Sequence, residues 1–247
     1  LAAGVGAAAS NEQATAVGPY AKASNVGSTA AGFQANSAGN YSTALGDGAT
    51  ATSDYAIALG SGTKASERSS IALGNQACAS DIAATALGNR AIASGRSSTA
   101  LGDGAKASNT SAVALGREAE ALGIDATALG SDSDAGAMFS TAIGPSAKAS
   151  GVSATAIGTS SAASKSNSFA IGSSARSDIA NATAIGTGAV AQQQSGSSAS
   201  SSITLGAAGN GTTDLFLPGL ANKPSSGTEY LVIDGKGRVT TGTATLA

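Results

Sequence analysis

The chain has no histidine and no tryptophan, and it has one cysteine, one methionine and four prolines in 247 residues. Without histidine, the common zinc sites and every Ser-His or Cys-His catalytic arrangement are excluded. A single cysteine, Cys78, excludes an intramolecular disulfide framework. Charge is scarce as well. With 11% charged residues and a formal net charge of −2, no basic surface for nucleic acid is present, nor the self-repulsion that keeps a chain disordered. No apolar run reaches the roughly 18 residues of a membrane-spanning helix. Leu, Ile, Val and Phe make up only about one residue in six. A core of alanine stabilises little, because burial is worth roughly 25 cal/mol per Å², so the chain is expected to need partners to fold. It begins in mid-pattern at Leu1 without a methionine and reads as a piece of something longer, so absent targeting signals say little about the parent.

What is present is a period. From Gly4 a glycine recurs every 14 residues without a miss to Gly186. A repeat this strict means one short unit stacked on itself. Fourteen residues are too few for a helix pair or a propeller blade, but they suit two short strands and two tight turns. Before each glycine comes Ala or Ser, then usually Thr, Ile or Val, then an alanine, then mostly Leu or Ile, as in Ser98-Thr99-Ala100-Leu101-Gly102. Such a segment predicts a strand ending at the glycine. A second strand is expected three to five residues after each glycine, as at Ala21-Lys22-Ala23 and Ala105-Lys106-Ala107.

Side chains alternate across a strand. The reading adopted places the Thr and Leu/Ile side chains inside an all-β parallel roll. The alanine between them then points outward, where only another copy of the chain could bury it. The expected shared axis is therefore the column Ala16, Ala30, Ala44, Ala58, Ala72, Ala86, Ala100, Ala114, Ala128, Ala142, Ala156, Ala170 and Ala184. Strands stacked about 4.8 Å apart would make the whole a rod of roughly 65 Å.

The pattern shifts after Gly186, where the next matching glycine, Gly206, follows 20 residues later. Residues 1–206 are taken as the repeat unit, with a longer polar loop at 192–202. Residues 207–247 are taken as a cap or connector containing a β-hairpin, with Asp234-Gly235 as its turn between two apolar runs.

The Ser-x-Ala-Ile/Leu-Gly motifs at this spacing, including Ser98–Gly102, Ser140-Thr141-Ala142-Ile143-Gly144 and Ser168-Phe169-Ala170-Ile171-Gly172, resemble the YadA-like head repeats of trimeric autotransporter adhesins. The resemblance covers residues 1–206. It implies a left-handed parallel β-roll, a homotrimer, display on a Gram-negative outer membrane, and adhesion to host extracellular matrix, cell-surface molecules or other surfaces. From the residues themselves no enzyme, no cofactor and no metal is expected. Residues 207–247 depart from it: they carry neither the Asp-Ala-Val-Asn-Val-like neck motif nor a heptad pattern. A phage tail fibre or receptor-binding fibre, built on the same repeat, is the alternative.

Candidate sites are few. Lys22, Lys64, Lys106 and Lys148 recur 42 residues apart in the second strand, so stacking aligns them in one stripe. Such a stripe attracts acidic glycans, or simply blunts exposed strands. Cys78 falls at the same repeat position, as a free surface thiol or as a chance occupant. Tyr41 and Tyr55 occupy equivalent turns, with Phe139 in another copy, where they anchor a ligand or stack on each other. The carboxylates Asp47, Asp54, Asp103, Glu118, Glu120, Asp132 and Asp134 scatter through turns and beside them, and no aromatic-lined cleft accompanies them. Paired acids of a polysaccharide-cleaving spike are the catalytic reading they leave open. The calcium nonapeptide pattern is missing, and the threonines, which alternate with alanine and are expected to face inward, make no exposed array suited to ice.

Overall fold

The computed structural model describes residues 1–191 and 203–206, together with the backbone of two strands, Glu229–Ile233 and Val239–Thr243. Two compact units divide the chain, Leu1–Gly211 and Thr212–Ala247. In the second unit the two strands pair antiparallel, with Tyr230 opposite Gly242 and Ile233 opposite Val239. The Asp234-Gly235 turn and the 192–202 loop lie outside the described residues.

In the first unit each 14-residue turn contributes one strand to each of two parallel sheets, for example Thr99–Leu101 and Lys106–Ala107. Among the described residues the first sheet has fifteen strands and the second fourteen, both in sequence order. Register is fixed at one repeat per step: Thr85, Thr99 and Val113 are neighbours in the first sheet, and Lys64, Cys78 and Ile92 in the second. The 20-residue interval changes nothing in that ladder, since Ile203–Leu205 pairs with Thr183–Ile185 as the next strand of the first sheet. This is the parallel β-roll of 14-residue turns that the glycine spacing predicts.

A shorter period lies inside the longer one. Every seventh residue from Gly6 to Gly188 has φ between +52° and +68°, and most of these residues are not glycine. Nearly every one sits two places into a tight turn closed by an i to i+3 hydrogen bond, such as Ala14 N–H to the Asn11 carbonyl at 3.1 Å. A positive φ at that place is what a type II turn demands. The turns also bond to one another: Tyr41 N–H donates to the Val26 carbonyl at 2.8 Å and Gly48 N–H to Phe33 at 2.9 Å. The ladder therefore runs around the whole circumference, which holds non-glycine residues in a conformation costing about 1–2 kcal/mol each.

The orientation of the first strand is the reverse of the expected one. Ala16, Ala30, Ala44, Ala58, Ala72, Ala86, Ala100, Ala114, Ala128, Ala142, Ala156, Ala170 and Ala184 are 0% exposed within a single chain. They point into the roll, and those of the central turns share one cluster with second-sheet alanines such as Ala105 and Ala107. The Thr and Leu/Ile side chains point out. Buried positions fall at intervals of two and five, as in Ala84, Ala86, Ala91, Ala93, Ser98 and Ala100, and nearly all of them are alanine or serine, with Thr63 the largest. Two strands joined by connections of four and five residues enclose too narrow a space for leucine, so only methyl and hydroxymethyl groups fit.

Buried hydroxyls are bonded locally. Ser70 Oγ donates to the Glu67 carbonyl at 2.6 Å, Ser133 Oγ to Gly130 at 2.8 Å and Thr63 Oγ1 to Gly60 at 2.9 Å, each closing its own turn. Serine thus replaces alanine inside the roll without leaving a polar atom unsatisfied, although Ser98 Oγ has no partner.

The glycines of the 14-residue period are required for a different reason. Gly102 has φ +137°, and a Cβ there would collide with the Gly116 carbonyl of the next turn. Backbone meets backbone at this corner, and no side chain can yield. Gly62 contrasts with it: φ is +64° and the nearest atom to an added Cβ is Gln76 Cγ at 3.5 Å. The expected outcome is that Gly102→Ala destabilises the roll by about 3 kcal/mol or more, whereas Gly62→Ser costs about 1 kcal/mol. Thermal unfolding of the two variants checks this; equal losses would contradict the assigned corner.

Candidate functional site

The two outer faces of the roll differ in chemistry. On the first sheet the outward positions are Thr, Ile, Val or Phe at one end of each strand and mostly Leu or Ile at the other. In register these form two parallel rows, Thr85–Thr99–Val113–Thr127 and Leu87–Leu101–Leu115–Leu129. Leu45 is 38% exposed, Leu129 39% and Ile185 41%, while Leu73, Leu87, Leu101 and Leu115 are half-buried by their neighbours in the row. No charged residue interrupts either row from Thr15 to Ile185. An apolar face of this length on a lone chain marks an interaction surface.

The second sheet presents a polar face. Its outward column reads Lys22, Asn36, Thr50, Lys64, Cys78, Ile92, Lys106, Glu120, Asp134, Lys148 along consecutive turns. The four lysines do align, but two of them are engaged. Lys106 Nζ lies 2.7 Å from Glu120 Oε1, and Lys148 Nζ lies 2.9 Å from Asp134 Oδ2. Lys22 and Lys64 form no ion pair among the described residues. Half of the stripe is thus a neutralised ladder of alternating partners, which the 42-residue spacing of the lysines alone did not reveal.

Hydrogen bonding to the Glu120 carboxylate, and then its charge, raises the Lys106 ammonium above its ordinary value of 10.5. The same two causes from Asp134 raise Lys148. Cys78 is half-buried in this column and forms no disulfide.

Most of the aromatics among the described residues stand in the turns, Phe169 on a first-sheet strand being an exception. Tyr41 and Tyr55 stack with centroids 5.7 Å apart and planes 10° from parallel. Phe139 is exposed six turns further on, beside Met138. Sequence reasoning overlooked a second pair, Tyr20 and Phe33, which meet edge to face at 6.1 Å and 86°. Their signal was the glycine one repeat before Tyr20: a Cβ on Gly6 would lie 2.9 Å from Tyr20 Cδ1. The ring lies down over the preceding turn because that turn has no side chain there.

Several of the carboxylates serve as rungs between turns. Asp54 Oδ1 accepts from both the backbone N–H and Nδ2 of Asn40 at 2.9 Å, Asp103 from Asn89 Nδ2 at 2.7 Å, and Asp132 pairs with Arg117 at 2.7 Å. Among the described residues no group of three or more His, Cys, Asp or Glu could hold a metal ion.

Comparison with known proteins places these repeats in a family. The family model described as the YadA head domain repeat matches residues 1–21, 9–35, 23–49, 37–63, 51–77, 65–91, 93–119, 121–148 and 149–175. The chain belongs to the YadA head repeat family. No curated protein matches it. Among solved structures it is similar to the collagen-binding domain of the Yersinia adhesin YadA, at 22% identity over 88% of this chain and 92% of that one, with a TM-score of 0.33.

Within these head repeats the lysine–carboxylate rungs have a definite pH signature. A lysine raised in the folded state contributes stability below its unfolded value of 10.5 and loses that contribution as pH climbs through the raised value. Both lysines are largely exposed, so the contribution is below about 1 kcal/mol. The double variant Glu120→Gln/Asp134→Asn is therefore expected to melt slightly below the parent from about pH 7 to 9, with the gap closing above 10.5. A gap that instead widened at alkaline pH would rule out these pairs as its source.

Proposed function

We propose that this chain is the head segment of a trimeric adhesin displayed on a bacterial surface, attaching it to host extracellular matrix, cell-surface molecules or other surfaces through multivalent contacts. The observation that supports this most directly is the uninterrupted apolar face of the first sheet. The outward row of mostly Leu and Ile is unfavourable in water, and another copy of the same chain supplies a surface of matching length and period. Three rolls packed by these faces turn their polar second sheets outward, which makes a stiff rod with a repetitive, ligand-facing exterior. The number three is the expectation that membership in the head repeat family brings. The axis of the assembly is then lined by leucine and isoleucine in place of alanine.

A rod of this kind offers many weak contacts at a fixed spacing. Linked weak contacts reach an avidity orders of magnitude above any one of them. No membrane insertion by this segment is part of the proposal: no helix among the described residues is long and apolar enough to cross a bilayer. Anchoring in the outer membrane belongs to the parent protein.

Light scattering on the purified chain is expected to give a β-rich particle near three times 23.1 kDa. Changing Leu87 and Leu101 together to Ser is expected to lower that mass and the melting temperature together. Ala100→Leu, by contrast, overfills the roll and costs about 1–3 kcal/mol. A folded, stable monomer from the unaltered chain would overturn the trimer. Loss of adhesion from one surface substitution, with fold and mass intact, would overturn the multivalent reading.

A further inference from the structure

One stretch of the polar exterior is built differently from the rest. Across three consecutive turns, Tyr20, Gln34 and Gly48 on the turn and Lys22, Asn36 and Thr50 on the second sheet line a groove of about 520 Å³. That volume is in the range that holds small ligands. The Tyr20 ring forms one wall. It is fixed edge-on by Phe33 at 6.1 Å and laid over Gly6, yet remains 52% exposed. The other end is open because Gly48 interrupts the ridge of turn side chains: a Cβ there would meet nothing within 4 Å. The groove lies on the second sheet and on the turn that joins it to the first.

Most polar groups of the groove are left for a ligand. Thr50 Oγ1 donates to the Gly48 carbonyl at 3.3 Å. Among the described residues the side chains of Lys22, Gln34 and Asn36 make no ion pair or side-chain hydrogen bond, whereas the later lysines Lys106 and Lys148 are both paired. No carboxylate lines the groove, and Lys22 is its one charge. An exposed aromatic face attracts the C–H bonds of a sugar ring through its electron-rich surface. Two side-chain amides, each both donor and acceptor, match neighbouring hydroxyls. One ammonium matches one carboxylate, and the next cation of the column, Lys64, stands beside Thr50 at the far end of the groove and outside its lining.

We propose that this groove binds a glycan carrying a single carboxylate on the bound sugar, of the sialic- or uronic-acid type. The proposal rests on the adhesive reading and deepens it by naming a ligand class for one site. It is tested with soluble sugars, so groove binding and surface adhesion can each fail without the other.

The experiment is saturation-transfer NMR with calorimetric titration on the full chain, using sialyllactose, a glucuronate-ended disaccharide, and lactose as the uncharged control. Binding of at least one acidic sugar is expected with a dissociation constant on the order of 1 mM, and whichever binds identifies the source of the carboxylate. Lys22→Gln should weaken it about tenfold without changing any residual lactose signal. Gly48→Gln should also weaken it tenfold or more by closing the notch. Gln34 and Gln76 already hold φ values of +53° and +57° in that same column, so the fold accepts the change. Lys64→Gln should leave binding unchanged. The proposal fails if neither acidic sugar receives saturation, or if Lys64→Gln weakens binding as much as Lys22→Gln, which would assign the effect to diffuse surface charge.

Discussion

Two sheets held apart by nothing larger than methyl and hydroxymethyl groups set the terms for everything else in this molecule. The inward residues Ser98 and Ala100 on the first-sheet side of one turn, and Ala105 and Ala107 on the second-sheet side, are all 0% exposed. Because the interior takes only small residues, bulk has to go outside, and Leu101 and its row are driven to the surface. Because the corners are equally tight, backbone packs on backbone there, and the 14-residue glycines cannot carry a side chain. The narrow bore is the common cause of the alanine count, the glycine period and the apolar exterior.

The same constraint favours the proposed self-association. Alanine gains little from burial, while each ordered residue costs backbone entropy. The ladder of hydrogen bonds around every strand and turn supports the roll, but each bond replaces one to water, so its net contribution is modest. The apolar area still available lies on the outer face of the first sheet, in the half-exposed rows of Thr, Ile and Leu. Covering that face with further copies adds the burial that the interior cannot provide. In the proposed trimer, folding of the roll and assembly of the rod therefore support each other.

Much of this was legible in the sequence. The spacing of Gly4 to Gly186 announced the stacked turn, Ser-Thr-Ala-Leu-Gly marked the first strand, and the paired residues Tyr41 and Tyr55 stack as equivalent turn positions should. What misled was the usual rule that larger apolar residues face inward. Alternation correctly separated Ala100 from Thr99 and Leu101, but it carries no sign, and the sign depends on the width of the roll. That width was encoded in a pattern easily missed: small residues at intervals of two and five, which recur every seven residues and leave no inward place for leucine. The ion pairs of Lys106 and Lys148 were hidden for another reason. The lysines were compared with each other at three-turn spacing, whereas a rung joins residues one turn apart, where Glu120 and Asp134 stand. The groove at Tyr20 was hidden because its residues come from three repeats and form no motif in any one of them.

A scaffold of this kind separates what must stay constant from what is free to vary. Inward positions and the 14-residue glycines tolerate almost nothing, since each touches its counterpart in the next turn. The left-handed turn position is the opposite case. Its φ is held by hydrogen bonds to the flanking turns, and in one column it accommodates Tyr20, Gln34, Gly48, Arg90, Glu118 and Ser146. Side chains there project from a rigid backbone at the spacing of a parallel sheet, so three neighbouring turns suffice to compose a binding surface and the rest of the rod does not change. Removing a side chain is as informative as adding one: Gly6 gives Tyr20 a place to lie, and Gly48 opens the groove beside Gln34. Recognition can therefore differ from one segment of the rod to the next while the alanine interior, and with it the fold, remains the same.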